Sequence, residues 1–285
     1  MKNDLGFPIL CRITPFQEYG LMSTANIYAT PRVVTDLAEC QFYHTMDIPG
    51  YGVVQGQWDL RHCVDSYLGH VCFTGKRVLD VGCASGFLSL HMERQGAEVV
   101  SYDLSENHPW DIVPFAKTDY RQLIEERKND IRKLNNSYWL NHRAHQSHAR
   151  VVYGTVYAMP SQIGPVDISV FGNILLHLRD PFLALYNALR LTRSTVIVTD
   201  VLSRRDYYKS LFGLLRRPTQ RFMPDFRSGK PDDCFWILTP EAIIQFLGVL
   251  GFEETVLTYR GQPFRGGPAR SFTVVGRRTA GTPEV

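Results

Sequence analysis

The sequence predicts an α/β fold: a doubly wound, mainly parallel sheet that closes with an antiparallel hairpin. Three observations predict it. The stretch Arg77-Val78-Leu79-Asp80-Val81-Gly82-Cys83-Ala84-Ser85-Gly86-Phe87-Leu88-Ser89-Leu90 reads as a buried strand, a glycine turn and the first turn of a helix. Five short apolar strands alternate with helical stretches: Arg77–Gly82, Glu98–Asp103, Ala149–Gly154, Asp167–Gly172 and Thr195–Asp200. Glu253–Arg260 and Arg270–Arg278 then follow as two strands, separated by a Gly/Pro-rich loop (Gly261, Pro263, Gly266, Gly267, Pro268). That connection is too short for a crossover helix, so the last pair is antiparallel.

Three segments are additions to this core. Residues 1–60, rich in Pro, Gly and aromatics, form a cap on the ligand face; residues 61–203 form the ligand-binding core. Thr118 to His148 is a long charged helical stretch between the second and third strands. Residues 204–238 are a lid insert, and residues 239–280 complete the sheet, beginning with a helix at Thr239-Pro240-Glu241 whose proline sits at the first helical position. Insertions at the carboxyl ends of parallel strands build the pocket for a second ligand.

Composition bounds the partners. The 285 residues suffice for a full core, and 44% hydrophobic with 21% charged residues is ordinary for a globular protein. A net charge of +3 does not by itself argue for nucleic acid. No apolar run reaches membrane-spanning length, so no membrane partner is expected, and the N-terminal residues lack a signal-peptide pattern. The six cysteines are scattered without a Cys-x-x-Cys pair, which fits neither a zinc site nor a disulfide framework and points to the cytoplasm.

The glycine loop narrows the ligand. The second strand ends in an acid, Asp103, about twenty residues past the first glycine, where such folds place a carboxylate on ribose hydroxyls. The ligand therefore contains an adenosine. A dinucleotide loop is apolar up to its first glycine, but here Asp80 lies two residues before Gly82, in the pattern Asp-x-Gly-Cys-x-x-Gly. This resembles the first motif of the class I S-adenosylmethionine (SAM)-dependent methyltransferases, which share the Rossmann-like sheet and its antiparallel ending; NAD or FAD is the alternative cofactor. In that class the glycines admit bare backbone to the methionyl part, and the acid anchors loop amides or the ligand's ammonium.

A further pattern joins Trp58-Asp59, Tyr153-Gly154-Thr155-Val156-Tyr157 and Leu175-Leu176-His177-Leu178-Arg179-Asp180-Pro181. It is similar to a bacterial group related to the tRNA wobble-uridine carboxymethyltransferases. Those enzymes carry a Tyr where Leu176 stands and a Lys-Gly-Pro-Phe segment without counterpart near Pro49-Gly50-Tyr51-Gly52, so the resemblance implies plain methyl transfer. It also implies a cofactor site: Asp80, Gly82, Cys83, Ala84 and Gly86 at the methionyl part, Asp103 and Leu104 at the ribose and adenine, Thr155 and Val156 beside the adenine, and Asn173 closing the pocket.

Methyl transfer from a sulfonium needs alignment more than a special residue, since positioning supplies roughly 7–11 kcal/mol. A base is needed only where the nucleophile must lose a proton. His177, after the fourth strand, is the candidate base; its alternative role is to pack and position the Asn173 loop. Asp180 caps the helix that Pro181 begins. Asp200 ends the fifth strand and lines the acceptor pocket, but no second acid or Asn follows it, against a magnesium site; no metal is expected. His142, His145 and His148 recur every third residue, as a zinc-binding helix face or as solvated side chains. From Arg204 to Lys230, eight basic residues meet two acids with five aromatics interleaved. That composition suits an amphipathic lid, with Leu211, Phe212, Leu214 and Leu215 facing the core, or a grip on single-stranded nucleic acid. Three functions follow from these readings. They are methyl transfer to a small or medium-sized metabolite, natural product or glycan, RNA modification, and SAM binding without catalysis.

Overall fold

The computed structural model describes residues 26–116, 118–211, 217–227, 233–265 and 267–281. Residues 1–25 of the expected cap, and Phe212, Leu214 and Leu215 of the expected lid face, lie outside the described residues. After a short 3-10 turn at Leu37–Glu39 come a two-stranded ribbon, β1 (Met46–Ile48) and β2 (Gly52–Val54), and a short helix, α1 (Val64–Tyr67). The core continues with β3 (Arg77–Val81), α2 (Phe87–Arg94), β4 (Glu98–Asp103), α3 (Arg121–Ala144), β5 (Arg150–Tyr153), β6 (Val166–Gly172), α4 (Pro181–Leu189) and β7 (Thr192–Leu202). The insert holds α5 (Arg204–Leu211), β8 (Gln220–Phe222) and β9 (Trp236–Leu238), and the chain ends with α6 (Pro240–Val249), β10 (Glu254–Phe264) and β11 (Gly267–Arg277).

One seven-stranded sheet runs β10-β11-β7-β6-β3-β4-β5. The five strands from β3 to β7 pair in parallel, and β11 lies antiparallel to both β7 and β10. The expected order of a parallel sheet ending in an antiparallel hairpin is thus present. The Gly/Pro-rich loop is not. Gly261 pairs with Arg270 and Pro263 with Pro268, so the ladder continues almost to the tip. The β11 residues 267–269 extend past the pairing with β7, so Pro268 breaks no ladder to a further strand. This arm folds back onto the cap: Trp58 bridges to Phe264, with ring centroids 4.3 Å apart.

Alternation along the strands gives the sheet two apolar faces. Val78, Val99, Val151, Ile168, Ile197 and Val275 face a layer with Leu88, Met92, Tyr138 and Trp139. Leu79, Val81, Val100, Val152, Val196 and Val274 face the opposite layer, with Ala184, Leu185, Ile243 and Leu247. Helix ends follow local chemistry. The Asp180 carboxylate accepts from the Leu183 amide at the start of α4, and Thr239 accepts from Ala242 at the start of α6, each followed by proline.

The three histidines do not share a helix face. Helix α3 ends at Ala144 with His145 as its cap; Gln146 is left-handed (φ 52°), and Ser147 N–H returns to the His142 carbonyl at 2.9 Å. That closure turns the chain before His148. His142 Nε2 lies 3.0 Å from the Ala149 carbonyl, so it serves the turn.

Candidate active site

The chain reverses direction across the sheet between β3 and β6, because β4 and β5 lie on one side and β7 on the other. A crevice opens at the carboxyl ends of strands at such a point. Here it is a cavity of about 600 Å³. Gly82, Ala84, Asp103, Leu104, Thr155, Val156, Asn173 and His177 all line it. Asp80, Cys83 and Gly86 do not line it, and neither does Asp200, expected at the acceptor pocket.

The loop after β3 is shaped by its backbone. Gly82 has φ +78°, and a Cβ there would lie 2.5 Å from Ile174 Cδ1. Gly86 has φ +86° and opens α2; its bare Cα faces Tyr138, whose ring would lie 2.9 Å from a Cβ. Asp103 ties this loop to β4. Its carboxylate accepts the Ala84 amide at 2.7 Å and the Leu104 amide at 2.7 Å. Burial pushes the Asp103 carboxyl up, and the two amides oppose that.

Asp80 lies behind the loop. It shares a strand face with Val78, so its side chain meets α2: Ser89 Oγ donates to it at 2.6 Å. Ser89 and Ser101 hydroxyls are 2.8 Å apart, and Ser101 and Tyr138 hydroxyls are also 2.8 Å apart, completing a buried chain. Burial pushes Asp80 up to about 7. Cys83 is also buried, and burial with the nearby Asp103 and Asp80 charges holds its thiol well above the usual range, so it is no nucleophile.

Opposite the loop, the Thr155 carbonyl accepts the Tyr102 hydroxyl at 2.8 Å, and the Val156 carbonyl accepts Asn187 Nδ2 at 3.1 Å. Asn173 is left-handed (φ 53°) and 4% exposed, and its Oδ1 has no hydrogen-bond partner among the described residues. His177 Nδ1 donates to the Asp233 carbonyl at 2.5 Å. The Asp233 carboxylate in turn accepts Arg127 of α3 at 2.7 Å. The end of the insert is thereby held between two walls of the cavity.

Other lining residues carry no periodic or motif signal. Gln41, Tyr43 and Gln57 come from the cap, Trp110 and Asp111 from the loop after β4, Arg127 and Asp130 from α3, and Arg265 from the hairpin tip. Arg127 packs over the Trp110 ring at 5.0 Å. Tyr157 donates its hydroxyl to Asp111, which also accepts the Arg179 amide at 2.7 Å. Among the described residues no group of three His, Cys, Asp or Glu side chains converges as a metal site would require.

A family profile described as a methyltransferase domain matches residues 59–255. The chain belongs to the methyltransferase-domain family. Its relatives include the ubiquinone biosynthesis O-methyltransferase of Azoarcus sp. (strain BH72), 58% identical over 38 residues, or 13% of this chain and 16% of that one. The enzyme of the same description from Dechloromonas aromatica (strain RCB) is 39% identical over 64 residues, 22% of this chain and 27% of that one. The chain therefore spans only about a sixth to a quarter of the length of these curated relatives. Among solved structures, EvdMO1 matches with a TM-score of 0.50 at 14% identity, covering 85% of this chain and 45% of that one. This likeness shows the fold alone.

Proposed function

We propose that the protein is a SAM-dependent methyltransferase that acts on a small or medium-sized acceptor. The observation that carries this reading is the cavity at the switch point, where the backbone of Gly82 and Ala84 meets Asp103. The lining fits an adenosyl ligand. A side chain at Gly82 would strike Ile174, so the floor is bare backbone, and the half-buried Asp103 keeps lone pairs beyond the two amides it accepts. Asp103 and Leu104 would hold the ribose and one adenine face, Thr155 and Val156 the other side, and Gly82 and Ala84 the methionyl part. Asp80 and Cys83 support the loop from behind, and Gly86 lets it close on Tyr138. The bound cofactor supplies an electrophilic methyl group on a sulfonium.

The protein's own part is to align the acceptor and exclude water. Asp233, pinned by Arg127 and His177, closes one wall, and Trp110 and Tyr157 stiffen another. His177 is a candidate for the acceptor's proton from that wall. A volume of about 600 Å³ shared by cofactor and acceptor favours a small acceptor over a polymer threaded through the site. No helix among the described residues is long and apolar enough to cross a membrane. Cys40, Cys63, Cys72, Cys83 and Cys234 are all free thiols, which supports a cytoplasmic location.

A second reading, RNA as acceptor, draws on the resemblance to the wobble-uridine group and on the outer face of the insert. Arg217, Arg221 and Arg227 are exposed beside exposed Phe222 and Phe226, with Arg227 5.4 Å over the Phe226 ring. It predicts RNA binding that weakens steeply with salt. Calorimetry with SAM, S-adenosylhomocysteine and NAD tests the primary reading. Binding of the first two and not of NAD is expected; binding of NAD alone would overturn it.

A further inference from the structure

The methyltransferase reading leaves one cation on the cavity wall without a task. Arg265 lies at the tip of the β10–β11 hairpin, is exposed, and lines the cavity together with Gln41, Tyr43 and Gln57 of the cap. Its backbone is left-handed (φ 47°), a conformation that favours glycine, so an arginine is held there against its local preference. The place is fixed by a packed joint. The Arg265 amide donates to the Gln57 carbonyl at 2.7 Å, and the Gln57 amide donates to the Tyr43 carbonyl at 2.9 Å. Arg265 Nη2 also reaches Gln57 Oε1 at 3.3 Å. The preceding Phe264 packs on the buried Trp58 ring, so the arm brings its arginine to the cavity as part of the cap.

The other charged groups around this wall are already matched. Arg127 pairs with Asp130 at 3.2 Å and with Asp233 at 2.7 Å. Asp103 accepts the Ala84 and Leu104 amides, and Asp111 accepts the Tyr157 hydroxyl and the Arg179 amide. Asp59 of the cap, whose amide donates to the Pro263 carbonyl of the arm, is held by Arg61 through Nη2 at 2.8 Å and Nε at 2.9 Å. Among the described residues the Arg265 guanidinium meets a neutral amide oxygen and the Phe264 ring, 5.1 Å away, and pairs with no carboxylate.

Sheet order places this cation on the acceptor side. The strand ends that would carry the adenosyl group run from β3 through β4 to β5, where Thr155 and Val156 follow. The hairpin lies beyond β6 and β7, on the other side of β3. From β5 to β6 alone is three strand spacings, roughly 14 Å. A guanidinium presents paired donors that match a carboxylate or a phosphate, and here they face the part of the cavity left to the second substrate.

We propose that Arg265 binds an anionic group of the acceptor, a carboxylate or a phosphate, and so restricts methyl transfer to acidic small molecules. This rests on the methyltransferase reading. Arg265 is a specificity residue: it grips the acceptor away from the atom that receives the methyl, so it acts on acceptor binding more than on the transfer step. Because it stands in contact with water, the contact is screened by salt.

The test compares wild type with Arg265→Gln, which removes the charge, and Arg265→Lys, which keeps it without the paired donors. The small-molecule fraction of a host-cell extract is divided on an anion exchanger, and the retained and unretained pools are each incubated with labelled SAM. SAM affinity and thermal unfolding are measured in parallel. Wild type is expected to label the retained pool. Arg265→Gln should need about tenfold or more of that pool for half-maximal transfer, with its saturated rate, SAM affinity and unfolding midpoint kept. Arg265→Lys should recover part of the loss. Added salt should raise half-saturation in wild type and barely move it in Arg265→Gln. Prior phosphatase treatment that abolishes labelling of the retained pool marks a phosphate, and labelling that survives it a carboxylate; either supports the inference. Label confined to the unretained pool, or half-saturation in Arg265→Gln within threefold of wild type, overturns it. So does a tenfold loss of SAM affinity in that variant, which would give Arg265 to the cofactor's own carboxylate. A wild type that binds SAM and labels neither pool overturns it too. A wild type that neither binds SAM nor transfers label overturns the methyltransferase reading as well.

Discussion

Asp103→Ala is the perturbation with the most calculable consequence. The carboxylate accepts two amides at 2.7 Å, from Ala84 and Leu104, and so fixes the loop that floors the cavity. A hydrogen bond to a charged group is worth about 1.5–3 kcal/mol. Losing one ribose contact of that kind raises the SAM Kd about 10- to 150-fold, at 1.4 kcal/mol per decade. The stability cost is smaller than two such bonds, because Asp103 is half-buried and water can replace the carboxylate at the amides; about 1–3 kcal/mol is expected. Isothermal calorimetry with SAM, alongside a thermal melt, measures both. A folded variant with unchanged SAM affinity would refute the ribose assignment.

Three further outcomes follow from the same geometry. Gly82→Ala forces a side chain into φ +78° against Ile174, and should weaken SAM binding at least tenfold with a stability loss of about 1–2 kcal/mol in melts; unchanged affinity would mean the loop does not floor the site. His177→Ala should leave SAM affinity intact and lower kcat more than it raises the acceptor KM; retained turnover would return His177 to a structural role. The buried acids set a pH trend. Asp80 and Asp200 have folded values near 7 against about 3.9 when unfolded, so between pH 4 and 7 the unfolded chain has released protons that the folded one keeps. Stability therefore falls as pH rises through that window, by up to about 4 kcal/mol per acid, and levels off above it. Asp80→Asn should flatten part of the slope in denaturant titrations; an unchanged slope would mean Asp80 ionises in the folded state as it does when unfolded.

Much of the fold was legible because its strands are apolar runs bounded by turns. The five parallel strands and the hairpin each lie within a few residues of their expected limits. What failed was chemistry that depends on partners. A glycine- and proline-rich stretch reads as a loop, yet Pro263 and Pro268 face each other in a ladder that extends past its neighbour β7. The spacing of His142, His145 and His148 fits a helix face only if the helix continues, and a left-handed Gln146 stops it. At the site, the glycine loop and Asp103 announced themselves by spacing. The same spacing could not say that Asp80 points to α2, because a strand alternates its faces and the helix layer was not visible in sequence. Tyr43, Arg127 and Arg265 reach the cavity from three separate elements, and only the assembled fold brings them together.

The most direct test of the account is transfer of a labelled methyl from SAM into a host-cell extract, separated into RNA-sized and small-molecule fractions. Label is expected in the small-molecule fraction, insensitive to ribonuclease and lost in Asp103→Ala. Label confined to the RNA fraction and removed by ribonuclease would contradict it, and would make the exposed arginines of the insert an RNA contact.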